Sequence, residues 1–304
     1  MEIKNVAIIG RGAVGLLHGS KIAQGIGAEN VTYVMDDERF ARHADDEILI
    51  NGEPCGMRTV PASEATPADL VVVAVKATGL DAAIETMGAV VGENTRIISL
   101  LNGVTSEEHI AARFGWKHLV LAITQGMDAV FIDNKLTFSH PGEIRLGAAE
   151  GTKPGVVEDI AALLERAGIV FEVEADIRRR MWTKLMLNTG INQTCMVYGS
   201  TYGDAMAEGG EQNRCFIAAM REAKAVANAE GIALTEDDLA AMVDVIGVLD
   251  PAGMPSMAQD RVNHKKTEVA LFAGTIIERA EKYGIHVPQN RWLYQRVREI
   301  EASW

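Results

Sequence analysis

Cysteine is scarce in this 304-residue chain: Cys55, Cys195 and Cys215 stand far apart, with no Cys-x-x-Cys spacing. That argues against a disulfide framework or structural zinc, fits a reducing compartment, and leaves the thiols as unreactive groups in packed structure. Long apolar runs are also missing. Leu70–Val75 and Ile97–Leu101 are strand-length, far short of the roughly 20 residues a membrane span needs. Basic residues are in deficit, 29 Lys and Arg against 42 Asp and Glu, for a net charge of −13. This balance argues against nucleic acid as the main partner, and any anionic ligand must be met by local basic groups. No biased tract or fixed-period repeat is visible. No second histidine stands at ligand spacing from His264, so no metal is expected. The N-terminus, Met1-Glu2-Ile3-Lys4-Asn5, enters a strand pattern at once and leaves no room for a signal peptide. The cytoplasm is the expected location.

What is present is enough chain for two domains with separate cores. The first half alternates β-branched runs with helical stretches, the pattern of a parallel sheet with crossover helices. Strands are expected at Val6–Ile9, Val31–Val34, Leu70–Val75, Ile97–Leu100 and Leu119–Thr124, with less regular ones at Ala129–Ile132, Lys135–Ser139 and Glu143–Gly147. A helix over Gly155–Ala167 and a strand at Ile169–Glu174 close this region. From about Ile177 the texture turns helical: Arg178–Val197, Glu211–Glu230, Glu236–Leu249, Met257–Tyr283 and Arg291–Glu301, with Gly231, Pro251-Ala252-Gly253 and Gly284 as breakers. The expected organisation is therefore α/β, a doubly wound sheet over residues 1–175 followed by an all-α domain over 176–304.

Gly10-Arg11-Gly12-Ala13-Val14-Gly15 follows the first strand directly and opens a helical stretch. In that context G-x-G-x-x-G reads as a Rossmann dinucleotide fingerprint. The first glycine permits the turn, the second lets backbone approach a pyrophosphate, and the third lets helix and strand pack. The helix N-terminus then favours phosphate charge. Asp36, about 20 residues beyond the glycines, stands where an acid accepts hydrogen bonds from the adenosine ribose of NAD. A 2′-phosphate would be repelled there unless Arg39 or Arg42 folds over to meet it; a merely solvated acidic turn is the other reading. Lys76 and Asn102 sit just past strand ends, on the edge where open α/β sheets bind ligands. Each is either a cofactor contact or a solvated strand end.

In the helical half, Lys184, Asn188 and Asn192 fall at four-residue steps within an apolar segment, so they share one helix side. Desolvation would bring such a lysine's pKa toward working pH and suit it to proton donation, with the asparagines orienting a substrate. A solvated stripe on an amphipathic helix is the alternative. Ser256, Asp260, His264 and Glu268 form a second such stripe, but Ser256 with Gln259 also reads as a capping box.

Together these pieces resemble the ketopantoate reductase (2-dehydropantoate 2-reductase) family over nearly the whole length. The matching residues are the Gly10–Gly15 loop, the Val-Lys76 and Leu-Asn102-Gly strand ends, and Trp182-x-Lys184-x-x-x-Asn188-x-x-x-Asn192. Ser256-Met257-x-x-Asp260, Thr267-Glu268 and Tyr283-Gly284-Ile285-His286-Val287-Pro288 complete the set. The resemblance implies NADPH-dependent reduction of 2-dehydropantoate to pantoate in pantothenate and coenzyme A synthesis, with Lys184 as general acid. It implies substrate contacts from Asn188, Asn192 and Ser256. Cofactor contacts are implied for Gly10–Gly15 (Arg11, Ala13 and Val14 included), Lys76, Asn102, Glu268 and, loosely, Met127. The chain departs from the family pattern in three places. Asp36 stands where arginine often grips the 2′-phosphate, no asparagine occurs near Tyr202, and Ala270 replaces a common acid. NAD(H) and a different small keto acid therefore stay open, as do a paralogous reductase and a non-catalytic dinucleotide-sensing regulator. A homodimer through the helical half stays open as well.

Overall fold

A computed structural model describes Met1–Trp304. The chain forms two compact units: Met1–Leu101 with Ser106–Ile177, and Asn102–Thr105 with Arg178–Trp304.

The first unit is built on β1 (Val6–Ile9), α1 (Ala13–Ile26), β2 (Val31–Met35), α2 (Asp37–His43), β3 (Leu49–Ile50), β4 (Glu53–Pro54), β5 (Arg58–Pro61) and β6 (Leu70–Val73). It continues through α3 (Leu80–Met87), β7 (Arg96–Ser99), α4 (Ser106–Phe114), β8 (Leu119–Met127), β9 (Val130–Ile132), β10 (Lys135–Thr137), β11 (Pro141–Ala148), α5 (Val156–Arg166) and β12 (Val170–Val173). The main sheet runs β12-β11-β8-β7-β6-β1-β2-β5. From β5 to β8 all pairs are parallel, and β11 joins β8 antiparallel. The order β5-β2-β1-β6-β7-β8 is the dinucleotide-binding order, with its switch point beside β1.

Alternation along the strands explains the double winding. Val6 and Ile8 of β1 pack into a core with Leu16 and Leu17 of α1 and Ile160, Leu163 and Leu164 of α5. Ala7 and Ile9 face the other way, into a core with Leu80, Ala83 and Met87 of α3 and Ile110 of α4. A sheet buried on both faces needs continuous apolar strands, and Leu70-Val71-Val72-Val73 are each fully buried. A small second sheet, β4-β3-β10-β9, is attached to this unit.

The second unit is helical: α6 (Ile177–Tyr198), α7 (Tyr202–Met206), α8 (Glu211–Ala229), α9 (Glu236–Gly247), α10 (Ser256–Val262), a π-turn over Ala270–Gly274, α11 (Thr275–Tyr283) and α12 (Pro288–Ala302). The single helix expected over Met257–Tyr283 does not form. Asn263 caps α10, His264 adopts a left-handed φ of 48°, and the helix resumes only at the π-turn. A left-handed non-glycine residue stops helix propagation. The four-step register from Ser256 therefore ends at Asp260, and Glu268 is not on the same helix. The buried Gln193 amide supports the π-turn, its Oε1 accepting from the Ala273 N–H at 3.1 Å.

Candidate active site

In the first unit the glycine loop has the conformation its sequence requires. Gly10 has φ +116°, and a Cβ there would strike the Ala74 carbonyl; one on Gly15 would strike the Gly10 carbonyl. Gly12 is different: nothing lies within 4 Å of where its Cβ would stand. It is the N-cap of the 14-residue α1, with no side-chain cap and no acid in the first turn. An open backbone cradle at an uncapped helix N-terminus fits a pyrophosphate. Ala13 and Val14 are partly buried against the core.

The Arg11 guanidinium is turned into the fold. Nη2 donates to Asp46 Oδ2 at 2.8 Å and the His43 carbonyl at 3.1 Å, and Nη1 to Thr59 Oγ1 at 3.1 Å. A contact from Arg11 to a pyrophosphate is thus left to its backbone. Asp36 closes β2 and caps α2, its Oδ1 accepting from the Arg39 N–H at 2.8 Å. Arg42 pairs with Glu38 at 3.1 Å on the exposed surface, and Arg39 is exposed. β6 ends at Val73, two residues short of the expected end, and Lys76 is exposed as the N-cap of the short turn Ala77–Gly79. Met127 closes β8 and packs against the core.

In the second unit the remaining candidates gather into two connected groups. Lys184 Nζ donates to Asn102 Oδ1 at 3.0 Å, and Asn102 Nδ2 donates to Glu268 Oε2 at 2.9 Å. One amide thus spans an ammonium and a carboxylate, which fixes which end is oxygen. Gly103 follows at φ +96° beside Leu271 of the π-turn. The segment carrying Glu268 is tethered from α12, where Glu301 Oε1 accepts from the Thr267 N–H at 2.8 Å and its hydroxyl at 2.7 Å. One and two turns beyond Lys184 stand Asn188 and Asn192, with Asn192 Nδ2 donating to Asn188 Oδ1 at 3.2 Å. Asn192 Oδ1 accepts from Ser256 Oγ at 3.0 Å and the Met257 N–H at 3.2 Å.

Ser256 does not cap α10. Pro255 is the N-cap, with no side-chain capping bond, and Gln259 Nε2 donates instead to the Met254 carbonyl. The capping-box alternative fails because the serine hydroxyl is engaged by Asn192 of α6.

Burial pushes the Lys184 ammonium down to about 8, helped by the charge of Arg180 and opposed by Glu268. A lysine near that value holds its proton at neutral pH and releases it readily, the property a general acid needs. The sequence reading missed the roles of Gln193 and Glu301. A glutamine within the apolar run of α6 was the available signal for the first.

Residues 6–151 match the family described as ketopantoate reductase PanE/ApbA, and residues 176–301 match its C-terminal part. A 2-dehydropantoate 2-reductase of Archaeoglobus fulgidus is 28% identical, over all of both chains. Two solved structures share the fold over at least 98% of each chain. One is D-mandelate dehydrogenase with NADH and anilino(oxo)acetate (TM-score 0.87, 21% identity). The other is a dimeric ketopantoate reductase from Staphylococcus aureus (TM-score 0.83, 22% identity).

Proposed function

The chain belongs to the ketopantoate reductase family, and from that premise we propose that it reduces the ketone of a small 2-keto acid, 2-dehydropantoate first among them, to the alcohol. The observation that carries this reading is Lys184, held at 3.0 Å by Asn102 and desolvated to a pKa of about 8. Gly10–Gly15 would hold the dinucleotide pyrophosphate, with Asp36 at the adenosine ribose and Lys76, Asn102, Met127 and Glu268 as further contacts. When bound, the reduced nicotinamide supplies the hydride that adds to the keto carbon. Lys184 then donates its proton to the oxygen on which negative charge develops, stabilising the transition state more than the ground state. Asn188, Asn192 and Ser256 orient the substrate, a positioning effect worth several kcal/mol. Asn102 holds the ammonium in place.

A second reading is favoured by Asp36: an NADH-dependent reductase of another 2-keto acid. The Asp36 carboxylate accepts hydroxyl donors and repels a 2′-phosphate, and Arg42 is paired with Glu38. The same reading includes a homodimer, as named for the Staphylococcus aureus neighbour, working in the cytoplasm. Initial rates of NADPH and NADH oxidation with 2-dehydropantoate and a panel of other 2-keto acids test both. No oxidation with any of them, alongside thermal stabilisation by cofactor, would instead mark a dinucleotide sensor.

A further inference from the structure

Between α10 and the π-turn, residues 263–269 belong to no helix or strand. Yet this stretch carries Glu268, whose Oε2 accepts from Asn102 at 2.9 Å. A carboxylate on irregular backbone is placed only as firmly as that backbone is held.

The hold comes from the end of α12. Glu301 is buried, its side chain 3% exposed, and its Oε2 lies 3.5 Å from the largely exposed Lys266 ammonium. Its Oε1 serves one residue, accepting from the Thr267 N–H at 2.8 Å and the Thr267 hydroxyl at 2.7 Å. That hydroxyl accepts in turn from the Val269 N–H at 3.4 Å, so the residues on both sides of Glu268 are tied. Burying a carboxylate is costly unless hydrogen bonds replace its water, and here they come from the residue just before Glu268. Beyond the helix the Trp304 indole stacks on His264, ring centroids 5.6 Å apart and planes 15° apart. The segment is thus gripped at two points.

We infer that Glu301 is a positioning residue of this site: through Thr267 it fixes Glu268 against Asn102, and so sets what the Lys184 ammonium meets. The inference rests on the reading of Lys184 as proton donor. The path runs from Glu301 to Thr267, across one peptide to Glu268, and through the Asn102 amide to Lys184. Burial and the charge of Arg180 act against the ammonium, and the charge of Glu268 favours it. A Glu268 that drifts from Asn102 withdraws that support, and the lysine then loses its proton at lower pH. Glu301 acts by holding backbone, so an uncharged acceptor of the same shape should serve as well.

The test follows Lys184 itself, by NMR titration of the full chain carrying ¹³C-labelled lysine, with Lys184→Arg identifying the signal. Glu301→Leu removes the acceptor and should lower the Lys184 midpoint by about half a pH unit or more, roughly a threefold loss of proton affinity. Glu301→Gln keeps an acceptor for Thr267 without the charge and should titrate as the parent does. Thr267→Val removes only the hydroxyl donor and should move the midpoint the same way by less. The falling limb of kcat/KM should move with the midpoint in each variant, which a loss of stability alone would not produce. An unmoved or raised midpoint in Glu301→Leu, or an equal drop in Glu301→Gln, overturns the assignment. If Glu301→Leu does not fold, Thr267→Val decides, and an unmoved midpoint there overturns it. If the parent protein reduces no 2-keto acid with either cofactor, the functional reading has failed, and the NMR midpoints still decide whether Glu301 places Glu268.

Discussion

Lys184 and Asn102, 82 residues apart in sequence, meet in a 3.0 Å hydrogen bond from ammonium to amide oxygen. The amide's other end donates to Glu268. The asparagine thus links the lysine to a carboxylate whose charge favours the ammonium against the opposing effect of burial.

Replacing that lysine tests the chemistry most directly. Lys184→Ala should cut turnover with the true substrate by about 10²–10⁴-fold, with cofactor affinity close to that of the parent. Near-normal kcat in steady-state assays at saturating substrate would remove Lys184 from the proton-donor role.

The pH profile of kcat/KM supplies a second check. Because the Lys184 pKa lies at about 8, the ammonium is protonated below that value and reduction should be level there. The rate should fall about tenfold per pH unit above it, while alcohol oxidation rises over the same range. Asn102→Asp puts a second carboxylate against the ammonium and should move the falling limb to higher pH. A limb that stays in place argues that the amide does not tune the lysine.

Two glycines of the loop should fail in opposite ways. Gly15→Ala collides with the Gly10 carbonyl and should cost about 1–3 kcal/mol of stability by overpacking. Gly12→Ala meets open space and an extended backbone, so its Tm should match the parent. The added methyl stands where a pyrophosphate would approach, so dinucleotide binding should weaken about tenfold, the equivalent of one charge-assisted hydrogen bond. Thermal melts with and without cofactor separate the two outcomes.

Two buried groups in the first unit should oppose each other in stability against pH. Burial lowers the His18 pKa to about 4, so the native state resists protonation and loses stability as pH falls from the unfolded value of 6.5 toward 4. Burial raises Glu107 to about 7 although Ser106 donates to it, so its native state resists ionisation and loses stability as pH rises from 4.5 to 7. Between pH 7 and pH 5 the two effects nearly cancel. Glu107→Gln exposes the histidine effect and should lose about 2 kcal/mol more than the parent over that drop. Urea unfolding at the two pH values reads the difference; parallel behaviour of parent and variant would show that Glu107 is ionised when folded.

The sequence carried local information well. β1, the glycine turn and α1 are specified by adjacent residues, and Lys184, Asn188 and Asn192 share a side because 3.6 residues per turn places them there. Short elements escaped it. β3 and β4 have two residues each, too few for any hydrophobic period to register, and β5, Arg58-Thr59-Val60-Pro61, is a half-polar, incompletely buried edge strand with no apolar run. The second polar stripe failed for the complementary reason: its spacing was helical, but the backbone reverses at His264.

The order of residues by itself thus determined a parallel sheet with a phosphate-binding turn, a helical second half, and a polar line along α6, because those follow from periodicity and glycine stereochemistry. Only the tertiary structure decided that Asn102 stands between Lys184 and Glu268, that Ser256 serves Asn192 rather than its own helix, and that Arg11 turns to Asp46. Those outcomes depend on which distant partner satisfies each buried polar group, and no local pattern encodes that choice.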